Sequence, residues 1–144
     1  MAETKECWSS EAQDKIDVLI TRFFSAFDNR NGAVPQLAHL ADCFTDRATI
    51  VHRSGTDVEL YTVAEFATPR IELLTKGDLR QFHEWEVNSA TQIFDGIAAR
   101  TSRYRKSGLL SGNEYSGAGT KCFHLVELGI GWRIASLAWV DEKG

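Results

Sequence analysis

Residues 79–94 and 97–106, "LRQFHEWEVNSATQIF" and "IAARTSRYRK", are two long strand-like segments that meet at Asp95-Gly96. An Asp-Gly pair between such segments is a strong hairpin signal, because a tight turn there needs residues that accept positive φ. A hairpin this long is not stable alone; it needs more strands and a layer covering one face. The strands follow: "TKCFHLVEL" (120–128) and "GWRIASLAWV" (131–140) read as a last hairpin. Between the two hairpins, "SGLLSGNEYSGAG" (107–119) is rich in Gly and Ser and reads as a loop.

The covering layer comes from the N-terminal half. In residues 9–29, Ile16, Leu19, Ile20, Phe23, Phe24 and Phe27 make one apolar stripe at helical spacing. Ser9 or Ser10 can cap its start, and Asn31-Gly32 can stop it. Residues 34–44 form a short second helix with Pro35 in its first turn and Leu37, Leu40, Ala41 and Phe44 inward. A strand at 48–55 and its partner at 56–61 come next. "TVAE" (62–65) is a capping box, opening a helix over 63–75 that Pro69 should kink or break. The order α-α-β-β-α-β-β-β-β predicts an α+β domain: a strongly curved antiparallel or mixed sheet wrapped around three helices as a cone. The whole chain, 1–144, reads as one domain, with 1–8 and 142–144 as flexible ends.

The last strand poses a problem of faces. Alternation puts Trp132 with Ile134, Ala138 and Val140 on one side, and Trp139 with Ala135 and Leu137 on the other. A strand apolar on both faces needs helices over one and a second sheet over the other, which predicts a homodimer through the outer sheet face. The competing reading is a monomer with an exposed apolar face, or with Trp132 under the 107–119 loop.

Composition narrows the classes. Hydrophobic content of 43% against 25% charged is that of a globular domain. A net charge of −4 disfavours binding to nucleic acid. Apolar runs are too short for a membrane span, and the polar, acidic start is no signal peptide. Three widely spaced cysteines, Cys7, Cys43 and Cys122, make neither a disulfide framework nor a zinc motif, so a reducing cytoplasm is the expected location. No His or carboxylate spacing argues for a metal, and no cofactor is implied.

"FHEWE" (82–86), "IAARTSRY" (97–104) and "GWRIASLAW" (131–139), followed by Asp141, resemble the nuclear transport factor 2-like, or cystatin-like, superfamily. Within it they are most similar to bacterial polyketide-cyclase-like (SnoaL-like) single-domain proteins of unassigned function. The resemblance runs from about residue 11 to residue 142. It implies a cone-shaped pocket and dimerisation through the outer face of the sheet. It leaves function open, since the superfamily holds isomerases, dehydratases, hydrolases, cyclases and non-catalytic subunits.

Glu84, Glu86, Ser102 and Tyr104 match positions associated with that family. Glu84 and Glu86 share one strand face, and Arg100, Ser102 and Tyr104 share a face of the next strand. A two-residue turn pairs Phe94 with Ile97, which sets Val87 opposite Tyr104 and the glutamates on the other side. A three-residue loop or one β-bulge brings the two sets together. Together they would form a polar cluster on the pocket wall: a carboxylate in an apolar cone can move protons, and a tyrosine hydroxyl can donate to an enolate oxygen. The plainer reading is cross-strand pairing of Glu84 and Glu86 with Arg100, Arg103 or Arg105. His52 and His83 are further candidates for a general base. Phe27, Phe66, Trp85 and Trp139 would line the cone, with Arg70 at its edge, and would suit a small, flat hydrophobic ligand; an ordinary packed core is the alternative.

Three functions follow. One is a small-molecule-binding pocket protein with polyketide-cyclase-like or ketosteroid-isomerase-like acid/base activity, catalytic candidates Glu84, Glu86, Tyr104 and His52. Another is a non-catalytic dimeric interaction module. The third is a hydrolase or dehydratase using a pocket His with a carboxylate. They require, in turn, an open cavity with inward polar groups, a filled cone with an exposed groove, and a His within hydrogen-bonding reach of Asp or Glu.

Overall fold

A computed structural model describes the backbone of residues 2–143 and the side chains of residues 10–143. Its elements are α1 (Ala2–Ser25), a 3-10 turn (Arg30–Gly32), α2 (Leu37–Ala41), β1 (Phe44–Ser54), β2 (Asp57–Tyr61), α3 (Val63–Thr75), β3 (Leu79–Phe94), β4 (Ile97–Leu110), β5 (Asn113–Leu128) and β6 (Gly131–Asp141). The six strands form one sheet in the order β2-β1-β6-β5-β4-β3. β1 runs parallel to β6 and every other pair is antiparallel, so the sheet is mixed. The expected α+β architecture is present, and the sheet stays open at β2 and β3. Among the described residues no helix is long and apolar enough to cross a membrane.

The α1 stripe does what its spacing demands. Ile16, Leu19, Ile20, Phe23, Phe24 and Phe27 are all buried. Phe23 is the hub: its ring meets Phe24, Phe27, Phe44 and Phe123 edge-on at centroid distances of 5.2, 5.4, 6.0 and 5.3 Å. Edge-to-face pairs put positive ring edges on negative faces and add about 0.5–1.5 kcal/mol each beyond burial. Helical backbone begins at Ala2, so Ser9 and Ser10 lie inside α1 and not at its start. α1 also ends before Asn31-Gly32, where Asn31 and Gly32 take positive φ in the following turn. Asn29 fastens that turn: its side chain donates to the carbonyls of Leu74 and Leu79 at 2.9 and 2.8 Å and accepts from the Phe82 N–H at 2.7 Å.

α2 is shorter than expected because Phe44 already belongs to β1, and Leu37 is exposed. The capping box is formed, with Glu65 N–H donating to Thr62 Oγ1 and Thr62 N–H donating to Glu65 Oε1. α3 spans the expected 63–75 and remains one helix across Pro69.

The 107–119 loop does not exist. β4 runs on to Leu110 and β5 starts at Asn113, joined at Ser111-Gly112, both with positive φ. The Gly content there reflects crowding as well as turning. A Cβ at Gly119, in the middle of β5, would lie 2.3 Å from the Val140 carbonyl oxygen and 2.5 Å from the Tyr104 hydroxyl. Glycine is what lets those groups meet.

The two-faced strand is also resolved. Opposite β5, β6 pairs Ser136 with His124 and Ile134 with Leu125, leaving Ala135 as an extra residue. This bulge reverses the alternation, so Trp132, Ile134, Leu137 and Trp139 are all buried while Ala138 and Val140 are exposed. Both tryptophans therefore face the helices. Neither is left over for a partner chain.

Candidate functional site

A second bulge builds the site. The Asp95-Gly96 turn has two residues and pairs Phe94 with Ile97, but Val87 is skipped between the pairs Glu86–Tyr104 and Asn88–Arg103. The side chains of Glu84, Glu86, Arg100, Ser102 and Tyr104 thus share the inner face of the sheet. They do not form one cluster.

Glu86 belongs to a clamp. Arg100, only 4% exposed, donates to it through Nε at 3.1 Å and Nη2 at 2.6 Å, and the Ser102 hydroxyl donates to it as well. The same guanidinium reaches Asp17 on α1 at 2.6 Å and Thr91 at 3.2 Å. Burial works against the charge on Arg100, but the hydrogen bonds it donates to Glu86 and Asp17, with the charges of both carboxylates, outweigh it and raise its pKa. The group joins β3 to β4 through Glu86, Thr91 and Ser102, and ties α1 to the sheet through Asp17. Trp85 lies outside the cone: it is exposed, stacks on His83 at 4.3 Å, and borders a surface groove with Asp28 and Arg30. Glu86 and Trp85 line that groove rather than the space under α3, and Arg100 and Ser102 line neither.

The cavity lies between α3 and the sheet and holds about 340 Å³. Phe27, Phe66, Leu74, Phe82 and Trp139 give it apolar walls; His52, Arg70, Glu84, Tyr104, Lys106, Tyr115, Lys121 and Asp141 give it polar ones. Of the sequence candidates, it gathers Glu84, Tyr104, His52, Phe27, Phe66, Arg70 and Trp139. Lys106, Tyr115, Lys121 and Asp141 are additions.

These groups connect. The imidazole of His52 lies flat on Trp139 at 4.4 Å, with Nε2 3.1 Å from Asp141 Oδ2 and Nδ1 3.3 Å from Glu59 Oε1. The Tyr104 hydroxyl donates to Asp141 Oδ1, and Lys106 Nζ stands 3.6 Å from the same oxygen. Burial alone would raise the Asp141 pKa; Tyr104, Lys106 and His52 reverse that and hold it below the ordinary value. Burial, reinforced by Asp141, pushes the Tyr104 phenol upward, so it stays a donor.

Lys121 is, like Arg100, a buried charge. Its side chain is 5% exposed; Nζ lies 3.6 Å from Glu84 Oε2 and over the rings of Tyr104 and Trp139 at 4.1 and 5.0 Å. Burial lowers its pKa, and the neighbouring Glu84 only partly opposes that. The signal for Lys121 was its phase: it alternates with Phe123 and Leu125, so it had to point inward. Among the described residues no group of three His, Cys, Asp or Glu side chains is placed to hold a metal ion.

No protein-family model matches the sequence, and no curated protein matches it. Solved structures do match in shape. A protein of Kribbella flavida is 16% identical with a TM-score of 0.77, over 94% of this chain and 93% of that one. A nuclear transport factor 2-like superfamily protein of Salmonella enterica serovar Typhimurium is 12% identical with a TM-score of 0.74, over 94% of each chain. A cystatin-like fold protein of Novosphingobium aromaticivorans is 14% identical with a TM-score of 0.75, over 98% of this chain and 88% of that one. At such identities the likeness carries the fold and stops there: this chain has the nuclear transport factor 2-like, cystatin-like fold.

Proposed function

We propose that this protein binds a small hydrophobic molecule in the α3–sheet cavity and moves a proton on it. The observation that carries the reading is His52 at the cavity wall with Nε2 on Asp141. Asp141 on Nε2 and Glu59 on Nδ1 fix the ring flat against Trp139, and a ligand that displaces the exposed Glu59 from its 3.3 Å contact meets Nδ1, where His52 takes a proton and returns it. Tyr104 keeps Asp141 ionised by donating to it. Glu84, beside Lys121, is the second carboxylate within reach of a ligand. This suits polyketide-cyclase-like or ketosteroid-isomerase-like chemistry at a carbonyl-activated carbon. The same pair serves a dehydratase, in which His52 removes a proton and delivers it to the departing hydroxyl, which leaves as water. An interaction module would need a filled cone, which a cavity of about 340 Å³ does not support.

The test uses an enolisable aromatic ketone, 2-tetralone, in deuterated buffer, with α-proton exchange followed by NMR. The protein should accelerate exchange over buffer. His52→Gln and Asp141→Asn should each remove about 10²-fold of that acceleration, the usual contribution of a positioned acid/base. Equal acceleration by both variants would remove His52 and Asp141 from the chemistry.

The homodimer stands as a proposal on altered grounds. With both tryptophans inside, the outer face of β1, β2 and β6 offers Val58, Leu60, Ala138 and Val140 as exposed apolar side chains. Sedimentation at micromolar concentration should give twice the 16.1 kDa chain mass, and Leu60→Lys should halve it. A monomer in both cases rules the dimer out. Cytoplasmic location stays an expectation from the cysteine pattern.

A further inference from the structure

The charges around the cavity do not balance. Arg70, Lys106 and Lys121 face Glu84 and Asp141 across it. Each carboxylate already has its ammonium, Glu84 with Lys121 and Asp141 with Lys106, both at 3.6 Å. Arg70 forms no ion pair among the described residues. Its Nη1 donates to the Phe66 carbonyl at 2.9 Å, which leaves most of its donors unused. The guanidinium lies over the Phe66 ring at 4.3 Å and borders Trp139 and Tyr61 at 5.3 and 5.4 Å. A cation so stacked is fixed in orientation, with its edge free for a planar anion. Glu59, the remaining carboxylate near this wall, serves His52 and Tyr61 and is 55% exposed, so water screens it.

We propose that the cavity takes a flat apolar molecule bearing a single carboxylate, with the carboxylate on Arg70 and the ring system against Phe66 and Trp139. The inference rests on the cavity's being a ligand site, and adds the charge of the ligand and the residue that reads it. Lys121 supports it. It borders the same Trp139 ring from 5.0 Å, and burial disfavours its charged form, so an incoming anion removes a penalty the protein otherwise bears. A cationic ligand would meet three positive side chains instead.

Three probes of one shape decide it: 2-naphthoate, 2-naphthylmethanol and 2-naphthylmethylammonium, followed by tryptophan quenching with Trp139→Phe as the control for location. The anion should bind at least about tenfold more tightly than the alcohol, the magnitude of one charge-assisted hydrogen-bond pair, and the ammonium should bind least. Arg70→Gln should reduce naphthoate to the affinity of the alcohol and leave the alcohol unchanged. Arg105→Gln, an exposed charge on the other side of β4, should alter neither. If the alcohol or the ammonium binds as tightly as naphthoate, the carboxylate inference fails and the pocket reading stands. If naphthoate wins but Arg70→Gln does not affect it, Arg70 is not its reader. If none of the three quenches at millimolar concentration, the pocket reading fails with it.

Discussion

Glu84 and Glu86 are two residues apart on one strand face, yet they ended in different kinds of place. Glu86 accepts two hydrogen bonds from Arg100 and one from Ser102, and through Arg100 it is tied to Asp17 on α1. Glu84 has Lys121 at 3.6 Å, longer than a hydrogen bond, and an open cavity before it. The first carboxylate has three of its four lone pairs engaged, with both oxygens held by Arg100. The second is underserved. Chemistry in a buried site depends on groups whose polar demands the protein leaves partly unmet, because those demands pass to the ligand. Identical residue types at identical phase therefore carry no shared role; the partners decide.

Removing the cation from each pair tests the contrast. Arg100→Met should have the larger effect. It leaves Glu86 and Ser102 facing each other beneath α1 and frees Asp17, and breaking a buried pair in this way costs about 3–5 kcal/mol. The low end, about 3 kcal/mol, is expected because Asp17 is half open to water. Urea denaturation should show the midpoint fall with an unchanged slope. The ligand affinity of the folded fraction should hold. A loss of ligand binding without a loss of stability would place Glu86 and Arg100 in the site after all.

Much of this was legible in the chain. The Asp95-Gly96 hairpin, the Thr62–Glu65 box and the phenylalanine stripe of α1 are local patterns, set by turn chemistry and helical period, and the structure keeps them. What was not legible was parity. A bulge at Val87 decides whether Glu86 meets Tyr104, and a bulge at Ala135 decides whether Trp132 and Trp139 share a face. Nothing in those residues marks them as bulged. A bulge forms where a long strand must bend to close over its helices, which is a property of the whole sheet. Residues 107–119 are the opposite case: their glycines read as loop signals, but Gly119 is there because Tyr104 and Val140 come close, which only tertiary structure explains. Lys121 and Asp141 follow the inward phase of Phe123, Leu125, Leu137 and Trp139, so phase alone could have found them.

The smaller effect belongs to the cavity pair, and it depends on pH. The folded pKa of Lys121 lies below its ordinary 10.5, chiefly through burial, so between the two values the unfolded chain holds a proton that the folded protein does not. Stability therefore rises with pH through that window, and the cost of charged Lys121 is borne in full only below the folded pKa. Lys106 is shifted the other way, since its burial is outweighed by Asp141, Tyr115 and Glu84 together, and its contribution is lost as pH rises. The two slopes oppose each other in the wild-type protein. Lys121→Met removes one and leaves the other, so the difference in stability between the two proteins isolates Lys121. Urea midpoints at pH 7, 9 and 10 should move steadily in favour of the wild type as pH rises. A difference that stays flat would mean that Lys121 keeps its proton through the whole range, and that Glu84 is as well served as Glu86.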